Sequence, residues 1–314
     1  MATAESERSG RGVDLLLTLA LAAAALAIWG PLLRVGLNLA DEGWLVTAIE
    51  RISAGESLYR DIFRSYGPGV YAPFVPLFRW MEPNLVAVRA VLLAGLVVLC
   101  VGSYWLARTC APRWAAFAAA ALPMLIRAPV HKTFVPLAYL ATLWLASRLA
   151  DREHGPGKLI ALGAGFGIVA LVRQEAGAYG MLIALATLAL VPASRSQPGN
   201  GTVTHWWSAL RGGLLLGTGA AAVWLPLLIF WVAQGALGDV LQQLVLQGAQ
   251  GNAAMSLPFP PLERLVTGPG RLTTLLFYTP AASVAAGALM LLQAARRRDR
   301  STAVSYTHLT LPTT

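Results

Sequence analysis

A dense group of charged residues directly follows the first long apolar run of the chain. Only 12% of the 314 residues are charged, yet eight charged side chains fall between positions 41 and 64: Asp41, Glu42, Glu50, Arg51, Glu56, Arg60, Asp61 and Arg64. Neighbouring carboxylates can take or orient a proton, and arginines bind phosphate through a bidentate fork. The segment therefore holds side chains suited to acid–base chemistry and to anion binding. It also fits a solvated interfacial loop in which an acid caps a helix.

The elements that position these residues are predicted from the apolar runs. Hydrophobic residues make up 56% of the chain, and its charged residues are too few to cover a water-facing surface. This composition predicts an all-α, polytopic membrane protein. About eight segments are long and apolar enough to be candidate transmembrane helices, at 13–33, 85–107, 114–126, 133–150, 158–172, 176–193, 209–233 and 272–295.

Lysine and arginine positions favour an inner N-terminus. With that orientation thirteen of them lie inside and ten outside, and five of the ten belong to the long first loop, which counts less in the rule. Arg89 falls inside the second predicted span, where it faces the interior or snorkels to the outer end. We therefore expect a multi-pass protein of the cytoplasmic membrane with positions 41–64 on the outer face. The net charge of +9 is accounted for by basic inner loops, so it need not indicate a nucleic-acid partner, and we expect none.

The first outer loop is predicted to hold two juxtamembrane helices. From Asp41 to Ile52 the apolar residues recur with helical period, and Asp41 or Glu42 stands where the N-cap belongs. Residues 53–57 predict a break, and residues 66–69 predict a turn. The run 70–80 is apolar but short and contains two prolines, so it favours a re-entrant or interfacial helix over a full span.

The order of these features resembles the GT-C glycosyltransferases, which include protein O-mannosyltransferases and lipid A aminoarabinose transferases. The specific part is the first loop, with L-A-D-E-G-W, G-E-S-L-Y-R-D and Y-G-P-G-V-Y. Weaker similarity extends to L-V-R-Q-E-A-G at Leu171–Gly177 and to S-L-P-F-P-P-L at Ser256–Leu262. The resemblance implies an inverting transferase that moves a sugar from a polyprenyl-phosphate carrier to an envelope glycan, lipid or protein on the outer face.

The resemblance also implies roles for individual residues. By position, Asp41 would be the catalytic acid–base residue and Glu42 its catalytic neighbour, and a divalent metal shared by the two is left open. The residues expected to meet the donor phosphate are Arg60, Arg64, Arg127, His131, Lys132 and Arg173, with Asp61, Tyr66 and Glu175 in support. The lone His131 is not expected to bind a metal, because no second His or Cys lies at ligand spacing.

Simpler interpretations remain open for several of these residues. Arg127, His131 and Lys132 also fit a solvated hairpin, and Arg173 with Glu175 also fits the boundary of a span. A transporter or flippase of lipid-linked sugars is the rival function, but it predicts an internal repeat and charged or broken helices at the bilayer midplane. A non-catalytic membrane scaffold would need no acidic cluster in its first loop.

The last residues, 304–314, differ in composition from the alanine- and arginine-rich chain before them. They resemble the translation of a sequencing adapter. We therefore expect residues 1–303 to be the transmembrane glycosyltransferase region of a longer protein, and residues 304–314 to be a non-native tail that packs against nothing.

Overall fold

The part of the chain that the computed structural model describes is mainly helical, and it covers residues 2–36, 42–64, 66–125, 132–150, 155–190, 201–247 and 263. Its helices are α1 Ala2–Trp29, α2 Trp44–Ser53, α3 Val75–Trp80, α4 Leu85–Arg108, α5 Arg113–Leu125, α6 Phe134–Ser147, α7 Pro156–Val172, α8 Gln174–Leu190, α9 Gly201–Ala233 and α10 Leu237–Leu241. Short 3₁₀ turns and one π-helical turn, Gln242–Leu246, complete these residues, which form no β-strand. The predicted all-α class is confirmed.

Among the described residues, three helical segments are long and apolar enough to cross a membrane, namely Arg11–Arg34, Leu85–Arg108 and Trp206–Ala233. Seven of the eight predicted segments contain a helix, but α6 has 14 residues and α7 has 17. At about 1.5 Å per residue these two rise about 21 and 26 Å, less than the ~30 Å of a bilayer core. Helix positions were thus predicted well, whereas the total of about eight crossings and the inner N-terminus stay predictions.

Helices α1, α4 and α5 form one packed group with a polar anchor at one end. Leu21, Ala25 and Leu96 are among the buried residues of its apolar core. At the end of the group the buried carboxylate of Asp14 accepts hydrogen bonds from the Tyr104 hydroxyl, from Arg113 Nε at 2.7 Å and from Arg108 Nε at 3.3 Å. The anchor joins the three helices, because each contributes at least one of its members.

Helices α7 and α9 pack against each other more closely than side chains other than hydrogen would permit. A Cβ atom at Gly163 would overlap the Leu216 carbonyl oxygen, and one at Gly219 would overlap the Ile160 carbonyl oxygen. Near the other end of the contact, the indole Nε1 of Trp224 donates to the Gly167 carbonyl oxygen at 3.1 Å. Small residues that let backbones approach in this way are typical of helix pairs in membranes.

The first loop, between α1 and α4, contains the amphipathic helix that the sequence predicts. Helix α2 buries Leu45, Ala48 and Ile49 on one face. The prediction that Asp41 or Glu42 is its N-cap is wrong: the N-cap is Gly43, which makes no side-chain hydrogen bond to the helix. The second juxtamembrane helix, α3, is only six residues long.

The chain divides into two units, Met1–Gly251 and Asn252–Thr314, and the helices above all belong to the first. The predicted span at 272–295, the stretch Ser256–Leu262 and the tail at 304–314 lie outside the residues that the structure describes.

Candidate functional site

A buried ion pair joins the first loop, between α1 and α4, to α4 itself. Arg89 and Glu42 are only 7% and 8% exposed, and the Arg89 guanidinium donates through Nε to Glu42 Oε1 at 2.8 Å and through Nη2 to Oε2 at 2.5 Å. Both oxygens of the carboxylate are thus engaged by one guanidinium in a bidentate arrangement. A charge inside an apolar helix is costly unless it is paired, so this contact explains why α4 contains an arginine near its beginning.

Arg89 also binds the backbone that precedes the acidic pair. Its Nη1 donates to the Leu33 carbonyl oxygen at 2.9 Å, and its Nη2 donates to the Gly36 carbonyl oxygen at 2.8 Å. One side chain therefore holds both ends of the segment 37–41, with backbone contacts before it and Glu42 after it. Asp41, the predicted acid–base residue, belongs to that segment and lies outside the described residues.

Arg64 lies on Trp44 at the beginning of α2, and Trp44 belongs to a group of three aromatic rings. Its guanidinium carbon is 4.2 Å from the centre of the Trp44 ring, and its Nη2 donates to the Trp44 carbonyl oxygen at 3.3 Å. The Tyr66 ring makes edge contacts with Trp44 at 5.4 Å and with Phe134 at 5.3 Å between ring centres. Burial lowers the pKa of Arg64, but a guanidinium stays charged at neutral pH. The Arg64 cation is thus held against Trp44, which lies three residues along the chain from Asp41.

The Y-G-P-G turn brings this group against the end of α7. A Cβ atom at Gly67 would overlap the Leu171 carbonyl oxygen, and one at Gly69 would lie 2.9 Å from the Leu171 carbonyl carbon. Only glycine allows the turn to approach so closely. The approach places the first loop next to Val172, with which it shares an apolar cluster, and thus next to the corner between α7 and α8.

Buried polar atoms without hydrogen-bond partners gather in these two neighbouring regions. They are Arg64 Nε and the Tyr71 hydroxyl in the first loop, and Arg173 Nε, Gln174 Nε2 and Glu175 Oε2 at the start of α8. Of the six such side-chain atoms in the described part of the chain, five belong to these regions. A buried polar group left without a partner costs about 1–3 kcal/mol. The accumulation marks a region with spare hydrogen-bonding capacity.

Two of these groups are close enough to interact electrostatically. Burial raises the pKa of Tyr71 well above its usual range, and the Arg64 guanidinium opposes that rise. The Tyr71 hydroxyl therefore keeps its proton at neutral pH and remains a hydrogen-bond donor. At the start of α8, Arg173 pairs with Glu175 at 3.1 Å, which leaves its Nε unused.

The remaining predicted site residues are less clearly grouped. Arg60 is exposed and pairs with Asp61 at 3.0 Å, and this contact lowers the pKa of the Asp61 carboxyl to about 2. Asp61 Oδ2 also accepts a hydrogen bond from the Ser57 backbone N–H at 2.8 Å, so the pair stabilises the loop locally. Lys132 is exposed and lies two residues before Phe134, whereas Arg127 and His131 lie outside the described residues.

Glu42 is poorly suited to binding a metal ion. Both of its carboxylate oxygens accept from Arg89, and a guanidinium in contact with a carboxylate repels a second cation. Among the described residues there is no group of three or more His, Cys, Asp or Glu side chains placed to hold a metal. A metal ion at this position would therefore have to be held by Asp41 without Glu42.

Sequence reasoning missed three members of the site. It treated Arg89 as an isolated charge in a span, and it did not single out Tyr71 or Gln174. An arginine near the start of an apolar helix was the available signal, since such a residue needs a buried partner. Tyr71 and Gln174 carry no comparable signal, because their lack of partners appears only in three dimensions.

Comparison of the chain with protein-family models, with curated proteins and with solved structures finds no match.

Proposed function

We propose that the chain is a membrane glycosyltransferase that moves a sugar from a polyprenyl-phosphate carrier to an acceptor on the outer face of the cytoplasmic membrane. The observation that carries the proposal is the double hold of Arg89 on segment 37–41. Burying an ion pair costs desolvation free energy. Such a cost is understandable where the loop carries a side chain that must be oriented to within a fraction of an ångström.

In this proposal Asp41 takes the proton of the acceptor hydroxyl or amine while the anomeric carbon–oxygen bond to phosphate breaks. The acceptor oxygen or nitrogen forms the new bond to that carbon from the opposite face, which inverts the configuration. The polyprenyl phosphate departs as an anion. The proton stays on the aspartate until water removes it.

Cations near Asp41 would meet the departing phosphate. Arg64 is fixed on Trp44, and Arg173 lies in the neighbouring corner with its Nε free of partners. The Tyr71 hydroxyl supplies one more donor beside Arg64. Donors held in place before the reaction stabilise developing negative charge more effectively than mobile ones. Arg127, His131 and Lys132 would extend this cationic region toward α6, whereas Arg60 is engaged by Asp61.

A transporter of lipid-linked sugars is the rival, and the positions of the buried charges argue against it. Within the described spans, the buried charged side chains are Asp14, four residues into Arg11–Arg34, and Arg89, five residues into Leu85–Arg108. Both lie near the ends of these spans. Transporter sites form near the bilayer midplane, commonly at broken helices.

The test is transfer by the chain in lipid vesicles with a radiolabelled polyprenyl-phosphate hexose and an envelope extract as acceptor. Asp41→Asn should lower the rate about 100- to 10,000-fold, the usual effect of losing a positioned base. The matched control is Glu50→Gln, which removes an exposed carboxylate from α2 and should leave the rate unchanged. Transfer by Asp41→Asn at the wild-type rate would show that Asp41 is not the base.

A further inference from the structure

The side chain of Gln243 joins the first outer loop to the π-helical turn that follows α10. Gln243 is 5% exposed, and both of its polar atoms bind the loop backbone. Its Oε1 accepts from the Arg64 backbone N–H at 2.7 Å, and its Nε2 donates to the Tyr59 carbonyl oxygen at 2.7 Å. Backbone atoms of one short segment, residues 59–64, thus satisfy both the donor and the acceptor of this buried carboxamide.

The loop that Gln243 holds contains a conformation that requires support. Tyr59 has φ = 76°, in the left-handed region that bulky residues rarely adopt. Its hydroxyl donates to the Tyr66 carbonyl oxygen at 2.8 Å, and its ring packs edge-on against Trp231 at 5.5 Å between centres. Such backbone persists only where surrounding contacts over-determine it, and Gln243 supplies the contact to the Tyr59 carbonyl.

A further hydrogen bond, in addition to the two made by Gln243, holds the same loop to the residue that follows α9. The buried hydroxyl of Ser57 donates to Gln234 Oε1, just beyond the last residue of α9. The loop 57–64 is therefore fixed at its beginning by Gln234, at its middle by Trp231 and at its end by Gln243. The segment 231–243 acts as a support for this part of the first loop.

The end of the loop is where the support matters most. Arg64 places its guanidinium on the Trp44 ring and against the Trp44 carbonyl oxygen, and its backbone N–H is the atom held by Gln243. Anchoring the backbone at this residue restricts where its side chain can reach. A π-helical turn, which carries one extra residue, is a frequent device for directing a side chain at a functional site.

We propose that Gln243 is a positioning residue that fixes Arg64 for binding the phosphate of the donor lipid. The inference rests on the proposed function in one respect, namely that Arg64 meets a polyprenyl phosphate. Gln243 itself touches no substrate in this proposal. It acts through the Arg64 backbone.

The first experiment is hydrogen–deuterium exchange of the chain in lipid nanodiscs, which requires no substrate. Gln243→Leu should speed exchange in peptides covering residues 59–64 and leave α4 and α7 protected. Gln242→Leu is the matched control, because Gln242 is the exposed neighbour in the same turn. Gln243→Glu keeps an acceptor for the Arg64 N–H but loses the donor to the Tyr59 carbonyl oxygen, so its exchange should fall between those of wild type and Gln243→Leu. Unchanged exchange in Gln243→Leu would overturn the inference.

The second experiment measures binding of undecaprenyl phosphate to the same nanodiscs. Gln243→Leu should weaken binding about tenfold, as expected for coupled neighbouring residues. In an Arg64→Gln background the Gln243 change should have no further effect, because its action passes through Arg64. Additive losses in this double-mutant cycle would overturn the positioning role.

The two experiments separate the inference from the proposed function. If wild-type chain does not bind undecaprenyl phosphate while the exchange pattern holds, the proposed donor is wrong and Gln243 still fixes Arg64. If wild-type chain binds the lipid and Gln243→Leu binds it equally well, the donor stands and the positioning role is wrong.

Discussion

The contact between Glu42 and Arg89 shows how one buried side chain can hold several groups of a loop at once. Arg89 has five N–H donors, and its hydrogen bonds to two oxygens of Glu42 and to the carbonyl oxygens of Leu33, Val35 and Gly36 use all three of its nitrogens. Lysine cannot replace it, because an ammonium lacks the planar fork that reaches a carboxylate and several carbonyl groups together. The pair therefore fixes local geometry, whatever its net contribution to stability.

We expect Arg89→Gln to lower the free energy of unfolding by about 3–5 kcal/mol, because it leaves the Glu42 carboxylate buried and without its guanidinium. The double variant Glu42→Gln/Arg89→Gln should lose less than the single one, since no buried charge remains. Thermal unfolding in detergent, followed by circular dichroism, measures both. Arg79→Gln is the control, because Arg79 is exposed at the end of α3. Equal losses for Arg79→Gln and Arg89→Gln would contradict this account.

At the scale of elements, the pair α7 and α9 provides the closest packing in the described chain, and it stands next to the candidate site. Helix α7 ends at Val172, against the first loop, and α9 leads to the segment 231–243 that supports the same loop. Packing of α7 on α9 thus keeps together the two elements that contact the loop, namely the end of α7 and the segment 231–243. Disturbing this helix pair should affect the site without touching any of its side chains.

Two glycines of α9 allow this to be tested with matched variants. Gly219→Ala would drive a methyl group into the Ile160 carbonyl oxygen, whereas at Gly217 nothing described lies within 4 Å. Overpacking costs about 1–3 kcal/mol, while Gly→Ala in an open helix position stabilises by about 0.5–1 kcal/mol. We expect opposite shifts in the melting temperature of the two variants. A higher melting temperature for Gly219→Ala would contradict the close approach of Gly219 to the Ile160 carbonyl oxygen.

Sequence patterns predicted the elements better than the contacts between them. A long apolar run indicates a helix because the backbone inside a membrane must satisfy its own hydrogen bonds, and the helical period of 41–52 indicated α2. The runs did not give helix lengths: α9 begins at Gly201, eight residues before the predicted start. The partnership of Glu42 with Arg89 links residues 47 positions apart, and no periodicity connects them. Gln243 was missed for the same reason.

At the scale of the whole molecule, aromatic side chains complement the apolar helices. Trp80 is 91% exposed just before α4, and Trp206 and Trp207 are exposed at the beginning of the span Trp206–Ala233. Tryptophan is enriched at both membrane–water interfaces, where the indole is half in lipid and half in water. With the N-terminus inside, Trp80 would mark the outer interface and the other two the inner one.

Cysteine labelling in intact cells tests this orientation with little alteration of the chain. Cys110 is exposed in the predicted inner loop between α4 and α5, and Cys100 is buried. An impermeant maleimide should therefore label the wild-type chain only after the membrane is permeabilised. Glu82→Cys in a Cys110→Ser background places a thiol at an exposed outer position and should be labelled without permeabilisation. The reverse pattern would invert the topology and remove the site from the outer face.

The anchor at Asp14 has a consequence for the order in which the chain is synthesised. Its partner Arg113 follows 99 residues later, since 113 − 14 = 99. At about 5–20 residues per second, the ribosome needs about 5–20 s to produce that partner after Asp14 emerges. Tyr104 and Arg108, the other partners of Asp14, are produced shortly before Arg113. We therefore expect α1 to reach its final electrostatic environment only when the corner between α4 and α5 has been synthesised.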